Sequence, residues 1–162
     1  MLEDGATFTT LEPKIDYRRA RHGRAERSVM GYAFTSLDEL GDGYGFRKIR
    51  RALGVTAFGV NAIVYPPGAE GILHYHDIQD ELYFVHRGTA RVEVGDEVRQ
   101  VGEGGLVHVD STTPRRFSNA GDGDLVLLIV GGKEGYVQRD GHLVHSEDLG
   151  KRRALSEGRF TQ

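Results

Sequence analysis

Two histidines and a glutamate carry the plainest chemistry in this sequence: His74 and His76, with one residue between them, and Glu81 a short way on. In an extended strand, residues two apart project to the same face, so both imidazoles enter one space. After Asp77-Ile78-Gln79-Asp80 the chain turns, and an antiparallel return brings Glu81 beside the two rings. Two imidazoles and a carboxylate on one side of an ion form the facial triad suited to iron, with positions left open for substrate or oxygen. The same donors hold manganese, nickel or zinc, and the residue types do not choose among them. A His-x-His alone is a weak signal, because alternating polar residues on an exposed strand produce it; the spaced carboxylate is what strengthens it.

The elements that must position these residues read as short strands. GVTAFGVNAIVY (54–65) is rich in strand-forming residues and ends at the turn Pro66-Pro67-Gly68. ELYFVH (81–86) is aromatic and β-branched and is closed by Arg87-Gly88. TARVEV (89–94), Gly95-Asp96 and EVRQV (97–101) read as a hairpin, with Ala90, Val92 and Val94 on one face. LVHV (106–109) follows a glycine-rich turn, and DLVLLIV (124–130) is a continuous apolar run of the kind covered on both faces. No sustained helical periodicity interrupts this zone. The chain thus divides into an N-terminal arm and edge segment (1–53), a barrel (54–131) and a C-terminal hairpin and tail (132–162), within one domain overall. In the first part, Lys14–Arg27 is basic and reads as a solvated arm, and Ser36-x-x-Glu39 has the form of a capping box opening a single helical turn stopped by Gly41. In the last, 136–138 and 143–145 suggest a hairpin around Arg139-Asp140-Gly141, and Ser146 starts a short helix weakened by Gly150.

Composition narrows the function classes. There are 21 Lys and Arg against 24 Asp and Glu, a net charge of −3, so the chain as a whole lacks a basic footprint for nucleic acid. No run approaches the ~18 apolar residues of a membrane span. The start MLEDGATFTT is acidic and polar, unlike a secretory signal, and the expectation is a cytoplasmic protein. The absence of cysteine removes disulfides, thiolate ligands and cysteine nucleophiles together. The 23 glycines are about twice the usual share, and with many short strands and almost no helix they point to an all-β sandwich or barrel.

The segment Gly68 to Gly88 reads G-(x)5-H-x-H-(x)4-E-(x)6-G, which resembles the first signature motif of the cupin family. A partial match to the second motif, G-(x)5-P-x-G-(x)2-H-(x)3-N, follows: Gly104 fits its first position and Asn119 its last. Asp110 stands at the proline position, Thr112 at the glycine, and Arg115 at the histidine that serves as fourth metal ligand. The resemblance covers about residues 54–131. It implies a double-stranded β-helix, the cupin or jelly-roll barrel, here with a short helical turn and extended terminal segments. It also implies a divalent metal held by His74, His76 and Glu81.

Arg115 is a permanent cation that cannot coordinate. Three outcomes are open. It pairs with Glu81 and replaces the metal, it clamps an anionic substrate beside a three-ligand metal, or it tilts outward. Tyr83 shares the parity of Glu81 and should point inward, where its hydroxyl could meet a bound oxyanion, so Tyr83 and Arg115 are the candidate catalytic residues. Phe117, in step with Arg115, is expected to wall the pocket, while Phe58 and Tyr65 read equally as pocket wall or as plain core. His108 is the available substitute ligand but reads as an ordinary strand histidine, His86 should face away, and His22, His142 and His145 receive no ligand role. The leading expectation is a metal-dependent cupin acting on a small anionic or phenolic molecule, by oxygenase-like chemistry or else as an isomerase or lyase. The alternative is a metal-free binding or sensing cupin, with a barrel serving only dimer assembly as a weaker option. Partners are expected to be a small-molecule ligand and a second copy in a homodimer, with neither nucleic acid nor membrane.

Overall fold

The structure, a computed structural model, describes residues 31–158; the basic stretch Lys14–Arg27 lies outside them. Strands β1 (Gly45–Arg47), β2 (Gly59–Tyr65), β4 (Asp80–Arg87), β7 (Leu106–Val109) and β9 (Leu125–Gly132) form one sheet in the order β1-β2-β9-β4-β7. Strands β3 (His74–His76), β5 (Ala90–Val94), β6 (Glu97–Val101), β8 (Arg115–Asn119) and β10 (Gly141–Leu143) form the other, in the order β10-β3-β8-β5-β6. All pairings are antiparallel. The two sheets build the double-stranded β-helix that the sequence implied.

Period-two burial sets the inside. On β4, Glu81, Tyr83 and Val85 are buried, and their cross-strand partners on β9 are Gly131, Ile129 and Leu127. Ile63, Tyr65, Val85, Leu125 and Leu127 join Val92 and Phe117 of the opposite sheet in one apolar core. Each aliphatic side chain of Val or Leu size fully buried there stabilises by roughly 1.5–3 kcal/mol. Gly88, which ends the first motif, has φ +86°, and a Cβ there would stand 2.6 Å from the Asp124 carbonyl oxygen. Only glycine lets that turn press against the start of β9.

Several expectations are revised. The strand expected from residue 54 begins at Gly59, because Gly54 is the left-handed cap, φ 67°, of a short helix α1 (Ile49–Leu53) that lacks an amphipathic pattern long enough to show in the sequence. The capping box forms: Ser36 N–H donates to Glu39 Oε2 at 2.9 Å, and Glu39 N–H donates to Ser36 Oγ at 3.3 Å, ahead of a single 3-10 turn Asp38–Leu40. The C-terminal hairpin does not form. Residues 136–138 are not a strand, and β10 pairs instead with β3, far away in sequence. A 3-10 turn Ser146–Asp148 leads into α2 (Leu149–Glu157), which tolerates Gly150 in its first turn and anchors through buried Leu155. Among the described residues no helix is long and apolar enough to cross a membrane.

Candidate metal centre

β3 carries His74 and His76, β4 carries Glu81, and the three sequence-expected ligands meet. The donor atoms of His74, His76 and Glu81 lie within 4.8 Å of one another. His76 Nε2 is 3.3 Å from Glu81 Oε1, and His74 Nε2 is 3.6 Å from Oε2. The other nitrogen of each ring is occupied. His74 Nδ1 is 3.3 Å from the Ile72 carbonyl oxygen, and His76 Nδ1 is 2.8 Å from Asp140 Oδ1. An acceptor at Nδ1 takes the ring proton and leaves the Nε2 lone pair free, which is how metal-ligating histidines are usually held. The donor set therefore fits a divalent ion, with both Nε2 atoms aimed at one carboxylate; the Gln79 side-chain amide nitrogen also lies against the His76 ring, 2.9 Å from Nδ1 and 3.4 Å from Nε2.

Glu81 is held from the opposite side. Arg115 Nη2 donates to Glu81 Oε2 at 2.9 Å, and Tyr83 donates its hydroxyl proton to the same oxygen. Arg115 Nη1 donates to the carbonyls of Ser111, at 2.8 Å, and Thr113, at 3.0 Å, while Nε lies 3.4 Å from the Tyr83 hydroxyl. Arg115 is 0% and Tyr83 2% exposed. Arg115 thus faces inward and pairs with Glu81, and its donors are spent on protein acceptors rather than offered to an open cavity. Tyr83 stacks on Phe117, with ring centroids 3.9 Å apart. Neighbouring Glu81 across β9 and β2 are Gly131 and Gly59, so no side chain from those rungs covers the carboxylate. A Cβ at Gly131 would stand 3.1 Å from Gln79 Oε1, so Gln79 borders that space.

The environment fixes the charges. Burial alone would raise the Glu81 pKa, but hydrogen bonds and charge from His74 and His76 hold it well below the usual carboxylate range. Burial alone would lower the His76 pKa, but Glu81, and then Asp140, outweigh burial and Arg115 and raise it. Burial, reinforced by the Glu81 charge, pushes the Tyr83 phenol far up, so Tyr83 stays protonated and donates.

The other described histidines stand apart, and His22 lies outside the described residues. His108 sits opposite Leu82 with its side chain 60% exposed and is no ligand in this arrangement. His86 is exposed. His142 lies in β10 rather than beyond the barrel, stacked on Tyr75 and 2.7 Å from Asp77 Oδ2 on an exposed face. Sequence reasoning missed Asp140 and Gln79. The Asp-Gly pair at 140–141 reads as a turn, and nothing local ties it to a histidine 64 positions earlier.

A cupin domain model matches residues 62–131. A cupin protein from Bacteroides fragilis superposes with a TM-score of 0.55 at 22% identity, over 71% of this chain and 98% of that one. A sugar phosphate isomerase of the cupin superfamily from Silicibacter pomeroyi superposes at 0.51 and 24% identity, over 63% of this chain and 68% of that one. An uncharacterised protein of Methanocaldococcus jannaschii is 29% identical over 75 residues, which is 46% of this chain and 59% of that relative's own length. The likeness to the two solved structures is one of fold. With the first motif complete from Gly68 to Gly88 and the barrel built as two antiparallel sheets, residues 62–131 of this chain match the cupin domain.

Proposed function

We propose that this cupin binds a divalent metal ion through His74, His76 and Glu81 and takes a small anionic or phenolic molecule at the open side of that site. The observation that carries the reading is the pair of Nδ1 acceptors, Ile72 C=O and Asp140, which turn both Nε2 atoms toward one carboxylate. An ion held there supplies a Lewis acid, and iron or manganese also a redox centre, suited to oxygenase-like oxidation first and to isomerase or lyase chemistry second. Arg115 and Tyr83 hold Glu81 Oε2 and leave Oε1 on the side of His76.

Charge supports an anionic ligand. Arg115, Glu81 and Asp140 are all buried, and one guanidinium against two carboxylates leaves a single negative charge. A dication turns that into a single positive charge, which a monoanion neutralises at low cost in a poorly solvated site. A phenol qualifies by ionising as it binds.

Elemental analysis of protein purified from metal-supplemented culture tests the reading. Wild type is expected to carry close to one divalent ion per chain and His74→Ala almost none, with both showing the same β-sheet circular dichroism, because the barrel has its own core. Equal metal in the two proteins would place the ion elsewhere.

One observation favours a second reading. The buried Arg115–Glu81 pair at 2.9 Å already neutralises the carboxylate without a metal. Wild type that stays metal-free after supplementation, yet binds small carboxylates, would make the chain a binding cupin in which Arg115 replaces the fourth ligand.

A further inference from the structure

The expected hairpin at the C-terminus is instead a brace for β3. β10 pairs along the whole strand, Leu143 with His74, His142 with Tyr75 and Gly141 with His76. Val144 N–H donates to the Leu73 carbonyl at 3.0 Å, and Asp77 N–H to the Asp140 carbonyl at 3.2 Å. At the end of this ladder the Asp140 carboxylate reaches into the site. Its Oδ1 is 2.8 Å from His76 Nδ1, and its Oδ2 accepts the N–H of Ile78 at 3.1 Å and of Gln79 at 2.9 Å. One buried side chain therefore fixes both the ring and the turn that leads to Glu81.

The flanking residues are shaped for this placement. Arg139 has φ 58°, a left-handed conformation uncommon for a residue with a Cβ. Held conformations of this kind cluster where surrounding contacts over-determine a functional geometry. Gly141 packs closely on the ring: a Cβ there would stand 3.1 Å from His76 Cε1 and 3.5 Å from Nδ1, so the ring would have to give by a few tenths of an ångström. The backbone thus packs against the ring whose proton the preceding residue accepts.

We propose that Asp140 is a positioning residue of the metal centre: by accepting the Nδ1 proton of His76 it fixes the tautomer that presents Nε2 to an ion, and so makes the segment 139–143 a working part of the site. The proposal rests on the metal-binding reading above. A partner at the far nitrogen of a ligating histidine sets ring orientation and raises ligand basicity, and its loss commonly costs about 10–100-fold in metal affinity. Asp148 provides a matched control. It braces the residue just ahead of the same strand by accepting Leu73 N–H at 3.2 Å, and it pairs with Lys151 Nζ at 3.1 Å rather than with a ligand residue.

The experiment uses the full chain and zinc ion alone, measured by competition with a chromophoric chelator. A second readout is long-range proton–nitrogen NMR of the metal-free His76 ring. Asp140→Ala and Asp140→Ser, the latter too short to reach the ring, are expected to bind zinc about 10–100-fold more weakly and to lose the pure Nδ1–H tautomer. Asp140→Asn keeps an acceptor and is expected to retain the tautomer and most of the affinity. Asp148→Asn is expected to keep both while losing stability. An affinity for Asp140→Ala or Asp140→Ser within threefold of wild type would overturn the proposal. So would a weakened site whose His76 tautomer is unchanged, since the carboxylate would then act by charge alone. If wild type binds no zinc, the metal-binding reading falls, and the tautomer comparison alone decides whether Asp140 positions the ring.

Discussion

Glu81 enters the site from β4, an eight-residue strand paired with β9 on one side and β7 on the other. His74 and His76 enter from β3, a three-residue strand whose register with β8 is the single pair His74↔Arg115 and whose other edge is held by β10. One half of the ligand set is therefore built into the barrel core, and the other half is carried on a short strand that the C-terminal segment completes. The first motif joins the two halves in 21 residues, yet the physical support of each comes from a different part of the chain. A break on the β4 side should act on the whole fold, and a break on the β3 side on the site.

Arg115 gives the largest expected effect, because its guanidinium pairs with Glu81 and its other donors tie down the Ser111 and Thr113 carbonyls. Arg115→Ala leaves a buried carboxylate with one charge partner fewer, and breaking such a pair from one side commonly costs about 3–5 kcal/mol. Urea unfolding is expected to show a loss of that size. The double variant Arg115→Met with Glu81→Leu should recover much of it, because an apolar pair of similar volume does not carry the desolvation cost. A loss below about 1 kcal/mol in Arg115→Ala, the size of an exposed ion pair, would remove the core-held half of the comparison.

The next effect is local. His76 N–H donates to the Ser111 carbonyl at 2.8 Å, and Val85 N–H donates to the Gly105 carbonyl at 2.9 Å, so both amides are protected by bonds of similar length. Their exposure requires different openings: release of the three-residue β3 from the Ser111 turn ahead of β8 in one case, and release of the eight-residue β4 from the Gly105 turn ahead of β7 in the other. In metal-free protein the His76 amide is expected to exchange at least about tenfold faster than that of Val85, a difference of about 1.4 kcal/mol in opening free energy. Zinc should slow His76 and leave Val85 unchanged. Equal protection of the two would show that β3 opens only with the whole barrel.

The same contrast explains what the sequence made legible. The shared face of His74 and His76 and the inward direction of Tyr83 follow from local period-two geometry, and each residue sits where that geometry puts it, whereas the direction of Arg115 is open in the sequence and is given by its burial against Glu81. The strand β4 and the hairpin of β5 and β6 carry their alternation within a few residues. The support of β3 does not. Three residues are too few for a periodic signal, and the pairing of β10 with β3 spans a separation at which no local pattern operates. The turn chemistry at Arg139-Asp140-Gly141 was visible, but the same signal fits a local hairpin and a distant docking equally well. Residues 54–58 misled because their β-branched and aromatic residues look like the start of a strand, while Gly54 is committed to ending α1.

The smallest expected effect is electrostatic and belongs to the β3 side. Asp148 is buried, and burial alone would raise its pKa; the Leu73 N–H and the Lys151 ammonium outweigh that and hold it below its ordinary value of 3.8. A carboxyl whose folded pKa is depressed gives stability that is present in full above its unfolded pKa and is lost as pH falls through the folded one. Wild type should therefore lose this contribution only below pH 3.8, as Leu73 loses its charged acceptor and the C-terminal segment loosens from β3. Asp148→Asn cannot ionise. It is expected to be less stable than wild type at pH 5 to 7, with the gap closing as pH falls towards about 2.5, when both carry a neutral side chain at this position. Urea midpoints across that range measure it. A gap that stays constant with pH would mean that Asp148 supports β3 through shape alone. A gap that widens on acidification would reverse the sign and remove the charged brace from the β3 side.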